Sequence, residues 1–300
     1  MANERGKHID NTHLSIDQAE ERGFIHRDYI AHCLRWTHVA KYICEKQRYK
    51  TARVLDVGCG SDLPLPRLLY SSRYIVEKYV GVDYNPARKF KLEPFHTGKF
   101  PITALGDCAF PDGLAIDGTK YHPMVGDDQP PEWFDVPNLI TSFEVLEHVE
   151  PARVLMILKA MHKLLSLSDG VAFISTPCYD AHTGAAANHV NEMTYDALGA
   201  CLEDNGFAIK GVWGTFASQK DYKSKFTADF GGGQEIWNKL SAYYDSNYLA
   251  TLFAPLYPSM SRNALWQIAP ASEGYERKFP ALSAVEGVWT SSEQWAELNG

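Results

Sequence analysis

The sequence predicts an α/β fold, a doubly wound and mostly parallel sheet, over residues 50–215. Three observations predict it. Short apolar, β-branched runs recur, and stretches with helical apolar spacing lie between them. The first run stops at glycines, as a buried parallel strand entering a tight turn does. A later run leads to a proline and then an apolar stripe at i, i+3/i+4. A helical flank at 1–49 precedes this core, and an aromatic, irregular extension at 216–300 follows it.

Residues 17–48 contain no proline, and Ile25, Tyr29, Ile30, Cys33, Leu34 and the run from Trp36 to Ala40 predict a helix. In "ARVLDVGCG", Val54, Leu55 and Val57 form the first strand. "LPRLLYSS" reads as a short helix. "YVGVDYNP" is the second strand, ending in Asp83 and closed by Pro86. Residues 87–137 are dense in proline and glycine, which marks turns and an insertion. The third strand is either "PITALGD" or "HPMVGDD". "PNLITSF" is the fourth, and Pro151 opens a helix whose stripe is Val154, Leu155, Leu158, Met161, Leu164 and Leu165. Gly170 ends that helix region, and "VAFISTP" is the next strand. Thr194 caps a helix carrying Leu198, Cys201 and Leu202, which stops at Gly206 before the strand "FAIKGVW".

The 300 residues are 45% hydrophobic and 22% charged, the balance of a folded chain rather than a disordered one. Twenty-nine basic against 37 acidic residues give a net charge of -8, which excludes a strongly basic nucleic-acid binder held mainly through phosphates. The acidity is concentrated in residues 51–150, with 15 acidic and 9 basic side chains. The six cysteines include no C-x-x-C pair, the first residues are polar, and no apolar run approaches the ~20 residues of a membrane span. The expectation is a cytoplasmic protein with reduced thiols and no membrane partner.

"LDVGCGSD" places Asp56, Gly58 and Gly60 at the carboxyl end of the first strand, where ligands bind in such sheets. A dinucleotide fingerprint needs a third glycine where Leu63 stands, so a nicotinamide-dependent oxidoreductase is disfavoured. An acidic loop repels pyrophosphate and favours a cationic ligand. Asp83 is placed to accept hydrogen bonds from ribose hydroxyls.

On these residues the sequence resembles the class I S-adenosylmethionine-dependent methyltransferases. "VLDVGCGSD", "VGVDYN", "LITSFEVLEHVEP", "AFISTP" and "HVNEMTYDALGACLEDNGF" carry the resemblance, in family order, across 50–215. It implies a Rossmann-like sheet whose last strand is antiparallel. It implies that Asp56, Gly58 and Gly60 wrap the methionine part of S-adenosylmethionine, that Asp83 holds the ribose, and that Tyr84 lies near the adenine. Asp107 or Asp127 would meet the adenine amine, according to which candidate is the third strand. Phe143 and Glu144 would sit at the cofactor edge. The departure is Asp62 in place of the family's third glycine.

"FEVLEHVE" sets Glu144, Glu147 and His148 at i, i+3 and i+4, on one face if the segment is a helical turn. Two carboxylates and an imidazole there could hold a divalent cation such as Mg, Mn or Zn. "HVNEMT" returns His189 and Glu192 to the same edge. The set Glu144, Glu147, His148 and His189 resembles the metal-binding set of the small-RNA 2′-O-methyltransferases, and its first three members resemble that of the ubiquinone-pathway O-methyltransferases. The resemblance implies a metal that binds substrate hydroxyls and acidifies them. Without a metal, His148 and His189 are the candidate general bases.

The expected reaction is O-methylation of a small molecule or nucleotide unit. DNA or RNA is the alternative acceptor. The tetrapeptide of the DNA amino-methyltransferases is replaced by "SFEV", and Cys178 follows the wrong strand for a cytosine-5 nucleophile, so it reads as structural. Lys210, Lys220, Lys223 and Lys225 are interleaved with Trp213, Phe216, Tyr222 and Phe226, a composition able to hold single strands. The segment "YYDSNYLATLFAPLYPSMSRNALW" is loosely similar to methyltransferase-like proteins of bacteriophages, a resemblance that raises nucleic-acid modification among the substrate options and implies a host cytoplasm as the location. A methyltransferase-like binding module without turnover is a further reading, motivated by Asp62.

Overall fold

The computed structural model describes residues 27–46, 51–70, 76–84, 89–90, 92, 100–105, 114–116, 119–121, 136–180, 184–186, 188–217, 219–244 and 246–285. Helix α1 (Arg27–Lys46) leads into strand β1 (Ala52–Val57), helix α2 (Pro64–Tyr70) and strand β2 (Val76–Val82). Strand β3 (Ile102–Leu105) pairs parallel to β2, so the third strand is the one in "PITALGD". Strands β4 (Leu114–Ile116) and β5 (Thr119–Tyr121) form a separate antiparallel pair inside the predicted insertion. Strand β6 (Leu139–Phe143), helix α3 (Pro151–Ser168), strand β7 (Val171–Pro177), helix α4 (Tyr195–Asp204) and strand β8 (Phe207–Ala217) follow as predicted.

The sheet order is β3-β2-β1-β6-β7, then strand β9 (Ser261–Pro270), then β8. Strand β9 is antiparallel to both neighbours, and the other neighbouring pairs of this sheet are parallel. This is the Rossmann-like, doubly wound sheet that the sequence predicts. The predicted core ends at residue 215, but the sheet continues to residue 270. The C-terminal stretch read as irregular supplies a strand one in from the sheet's edge and helices α5 (Gln219–Asp229), α6 (Gly233–Ser241) and α7 (Ser246–Phe253). β9 lies between two strands and is buried along most of its length, so its sequence lacks the alternation that betrays a half-buried strand.

Local chemistry explains the element ends. Pro151 stands in the first turn of α3, and Asp169 ends that helix in the left-handed conformation, just before the predicted stop at Gly170. Thr194 caps α4 by accepting from the Ala197 N–H. On one side of the sheet, Leu158, Leu164 and Leu165 of α3 and Leu198 and Leu202 of α4 are fully or almost fully buried, each worth about 1.5–3 kcal/mol. On the other side α1 lays Val39, Ala40 and Ile43 against Phe173 and Leu139. The helices between β8 and β9 close over their own small core of Phe226, Trp237 and Leu249. None of the five described cysteines forms a disulfide, and no described helix is long and apolar enough to cross a membrane.

Candidate functional site at the carboxyl edge of the sheet

The glycine loop folds over the end of β2. Gly58 and Cys59 both donate their N–H to the Val82 carbonyl, at 2.8 and 3.2 Å, and Gly60 donates to Asp83 Oδ2 at 3.2 Å. At Gly58 (φ +77°) a Cβ would lie 2.2 Å from Val145 Cγ2, so a side chain there would force Val145 or the loop to shift. Gly60 (φ +67°) is different, since a Cβ there would meet nothing within 4 Å. The loop thus packs tightly on one glycine and opens at the other. Asp62, in place of the third glycine, does not break the turn. Its carbonyl accepts from Arg67 Nε at 2.6 Å, and the buried Leu63 adopts the left-handed conformation (φ 48°).

Asp56 does not present an open carboxylate to this loop. Tyr79 Oη donates to its Oδ2 at 2.6 Å and Thr141 Oγ1 to its Oδ1 at 2.7 Å, within the core. Burial pushes its carboxyl up to about 6, against the pull of those two hydroxyls. Asp56 is therefore an anchor beneath the loop rather than part of its surface. Asp83 is buried at the end of β2, and Tyr84 beside it is 76% exposed. Asp107 and Asp127 lie outside the described residues.

The E-x-x-E-H segment is not one helical face. β6 ends at Phe143, Glu144 takes a left-handed conformation (φ 57°), and only Leu146–His148 form a short 3-10 turn. Glu144 swings toward α1 and β9. It pairs with the buried Arg35 and accepts from Ser175 Oγ at 2.9 Å and from Asn263 Nδ2 at 2.9 and 2.8 Å. Arg35 also donates to Ser175 Oγ at 2.8 Å and lies 5.7 Å from the centre of the Phe143 ring. The four-residue set expected from the sequence is thereby reduced to three.

Those three converge. One ligand atom each from Glu147, His148 and His189 lies within 4.8 Å of the others. The Glu147 side chain is 1% exposed and accepts from Thr176 Oγ1 at 3.1 Å. Burial first, and the nearby Glu144 charge second, raise its carboxyl well above the usual range, opposed by Thr176 and Arg35. The Glu147 carbonyl accepts from the N–H groups of Val190 and Asn191, at 2.8 and 3.1 Å, which ties the returning loop to this turn. The two imidazoles meet edge to face, with centres 4.8 Å apart. His148 Nδ1 lies 3.1 Å from the Asn188 carbonyl, and His189 Nδ1 contacts Glu192 Oε1. A carboxylate and two imidazole nitrogens are a donor set that a divalent transition metal accepts.

Residues 27–210 match the model of a methyltransferase domain family. The chain belongs to this methyltransferase family. S-adenosylmethionine is the methyl donor that the assignment brings with it. No curated protein matches the chain. Among solved structures, the methyltransferase resembles magnesium protoporphyrin IX methyltransferase from Synechocystis at 12% identity, over 86% of this chain and 89% of that one (TM-score 0.48). The small RNA methyltransferase HEN1 aligns at 16% identity over 86% of this chain and 26% of its own (TM-score 0.49). A SAM-dependent methyltransferase from Archaeoglobus fulgidus aligns at 16% over 86% and 100% (TM-score 0.43). At such identities the likeness is one of fold.

Several residues around the candidate site carry no motif that the sequence could have offered. Arg35 lies in α1, remote in sequence from the strand ends it touches, and Asn263 lies in β9, whose sequence lacks strand alternation. Tyr79 and Thr141 read as ordinary strand residues. Glu192 is already legible beside His189 in "HVNEMT", whereas Asn188 acts through its backbone carbonyl, which no side-chain motif records.

Proposed function

We propose that this methyltransferase methylates a hydroxyl oxygen of a small molecule or nucleotide unit, with a divalent cation held by Glu147, His148 and His189. The convergence of one buried carboxylate and two imidazoles at the carboxyl edge is the observation that supports it. Gly58, Gly60 and Asp83 form the cofactor cradle, because Gly60 opens where Asp83 fixes its N–H. When bound, the cation would draw a substrate hydroxyl close and make its oxygen a better nucleophile. A bound S-adenosylmethionine would supply the methyl group from its sulfonium and leave as S-adenosylhomocysteine, and the substrate hydroxyl would give up its proton to solvent. The remaining acceleration comes from alignment. Arg35 and Asn263 hold Glu144 to one side of the three ligands. Two nitrogens and one carboxylate favour Mn or Zn over Mg.

The test is transfer of labelled methyl from S-adenosylmethionine to three acceptor panels: aromatic diols, nucleosides, and RNA or DNA oligonucleotides, each with and without a chelator. Transfer to a diol or nucleoside that falls with chelator and with Glu147→Gln supports the proposal. Transfer indifferent to both overturns the cation, and transfer confined to oligonucleotides replaces the acceptor with nucleic acid.

A further inference from the structure

The loop that follows β7 does more than deliver His189. It also supplies the acceptor for the Nδ1 atom of each imidazole in the cluster. The Asn188 carbonyl lies 3.1 Å from His148 Nδ1, and a carbonyl can only accept, so that nitrogen carries the hydrogen. Glu192 Oε1 contacts His189 Nδ1, and the same oxygen already accepts from the Ala186 N–H, so it acts as an acceptor there and Nδ1 supplies the hydrogen. In both neutral rings the lone pair is therefore left on Nε2. The Glu192 side chain is 6% exposed and also accepts from the Ala186 N–H at 3.2 Å, so it is fixed on the loop rather than drawn from solvent. The same loop is clamped to the Glu147 carbonyl through Val190 and Asn191. One short stretch of chain thus orients two rings and anchors the third member of the cluster.

We propose that Glu192 is a positioning residue that holds His189 in its Nδ1–H form, keeping Nε2 available for a cation, while the Asn188 carbonyl does the same for His148. The proposal rests on the cation reading above for its purpose, but the tautomer is a property of the protein without any cation. Ring-orienting partners of this kind typically change metal affinity by about 10–100-fold when removed.

The experiment has two readouts on the full chain. Long-range nitrogen–proton NMR correlations of histidine-labelled, metal-free protein, at a pH well above the ordinary imidazole value, report which ring nitrogen is protonated. His189 and His148 are both expected as Nδ1–H in the parent protein. In Glu192→Ala, His189 is expected to become a mixture of tautomers while His148 stays unchanged. Glu192→Gln keeps a side chain that can accept from Ala186, which guards against a simple loss of the loop, and Glu192→Asp should restore part of the parent behaviour. Calorimetric titration with Mn and with Zn is expected to show affinity reduced about 10–100-fold in Glu192→Ala. An unchanged His189 tautomer in Glu192→Ala overturns the proposal, as does unchanged affinity for both ions in a parent protein that binds them. If the parent binds neither ion, the cation reading fails while the tautomer result still decides the role of Glu192.

Discussion

Replacing Gly58 by alanine tests the glycine loop more sharply than any other single change. Gly58 sits at φ +77°, where an L-residue costs about 1–2 kcal/mol. The added Cβ would also lie 2.2 Å from Val145 Cγ2, so either Val145 or the loop must move. Forced overpacking of this kind costs about 1–3 kcal/mol. Gly58→Ala should therefore lose about 2–5 kcal/mol. Gly60→Ala is the internal control. It shares a positive φ but meets nothing within 4 Å, so only the conformational cost of about 1–2 kcal/mol remains. The double variant Gly58→Ala/Val145→Ala removes the obstructing methyl and should recover most of the excess. Urea unfolding measures the stabilities, and titration calorimetry with S-adenosylmethionine measures the cradle. Gly60→Ala should weaken cofactor binding more than it weakens the fold, because its Cβ enters the open side of the loop. Equal stability losses for the two glycine variants, or no recovery with Val145→Ala, would refute the reasoning.

Three other outcomes are expected. Arg35→Met leaves Glu144 with its Ser175 and Asn263 donors but no cation, and should cost about 3 kcal/mol in denaturant unfolding; Arg35→Met/Glu144→Met should recover most of it, and a double variant as unstable as the single would contradict a buried ion pair. The raised value of Asp56 means that the folded protein favours the protonated form, so its stabilising contribution is complete below about 3.8 and is lost as pH rises through about 6. That loss amounts to about 3 kcal/mol and should be missing from the pH dependence of Asp56→Asn, measured as the difference between the two unfolding series. Tyr275→Phe removes the hydroxyl that donates to Glu203 at 2.7 Å and accepts from the Ile209 N–H at 3.0 Å. It should destabilise by about 1–3 kcal/mol, and a loss near zero would show that the C-terminal segment does not brace α4 and β8 through this residue.

Legibility in the sequence followed the range of the interaction that decides each feature. Buried strands such as β1 and β7 are specified by their own apolar runs, and the caps at Pro151 and Thr194 by chemistry within one turn. Both were readable. Glu144 was not, because the spacing of Glu144, Glu147 and His148 fits a helix, and the left-handed turn is held by Arg35 from α1, Ser175 from β7 and Asn263 from β9. Nothing local to "FEVLEH" records those partners. Strand β9 was hidden for the opposite reason. It is enclosed by neighbours, so an unpatterned apolar segment with Asn263 and Gln267 is sufficient, and the prolines and aromatics before it read as irregular chain.

The same long-range contacts revise what the acidity of this region means. From sequence, the acidic excess of residues 51–150 looks like a field prepared for a sulfonium and a metal. In the structure, Asp56 is closed off by Tyr79 and Thr141, and Glu144 is neutralised by Arg35. Glu147 is deeply buried, and that burial, with the Glu144 charge behind it, raises its carboxyl well above the usual carboxylate range. The edge therefore holds fewer open charges than the count suggests. In the proposed site a cation would bind Glu147 as its anion, which opposes that rise. Selectivity in that proposed site would rest on the two imidazole nitrogens, which a bulk negative field could not supply and whose Nδ1 atoms face acceptors on the loop through Asn188 and Glu192.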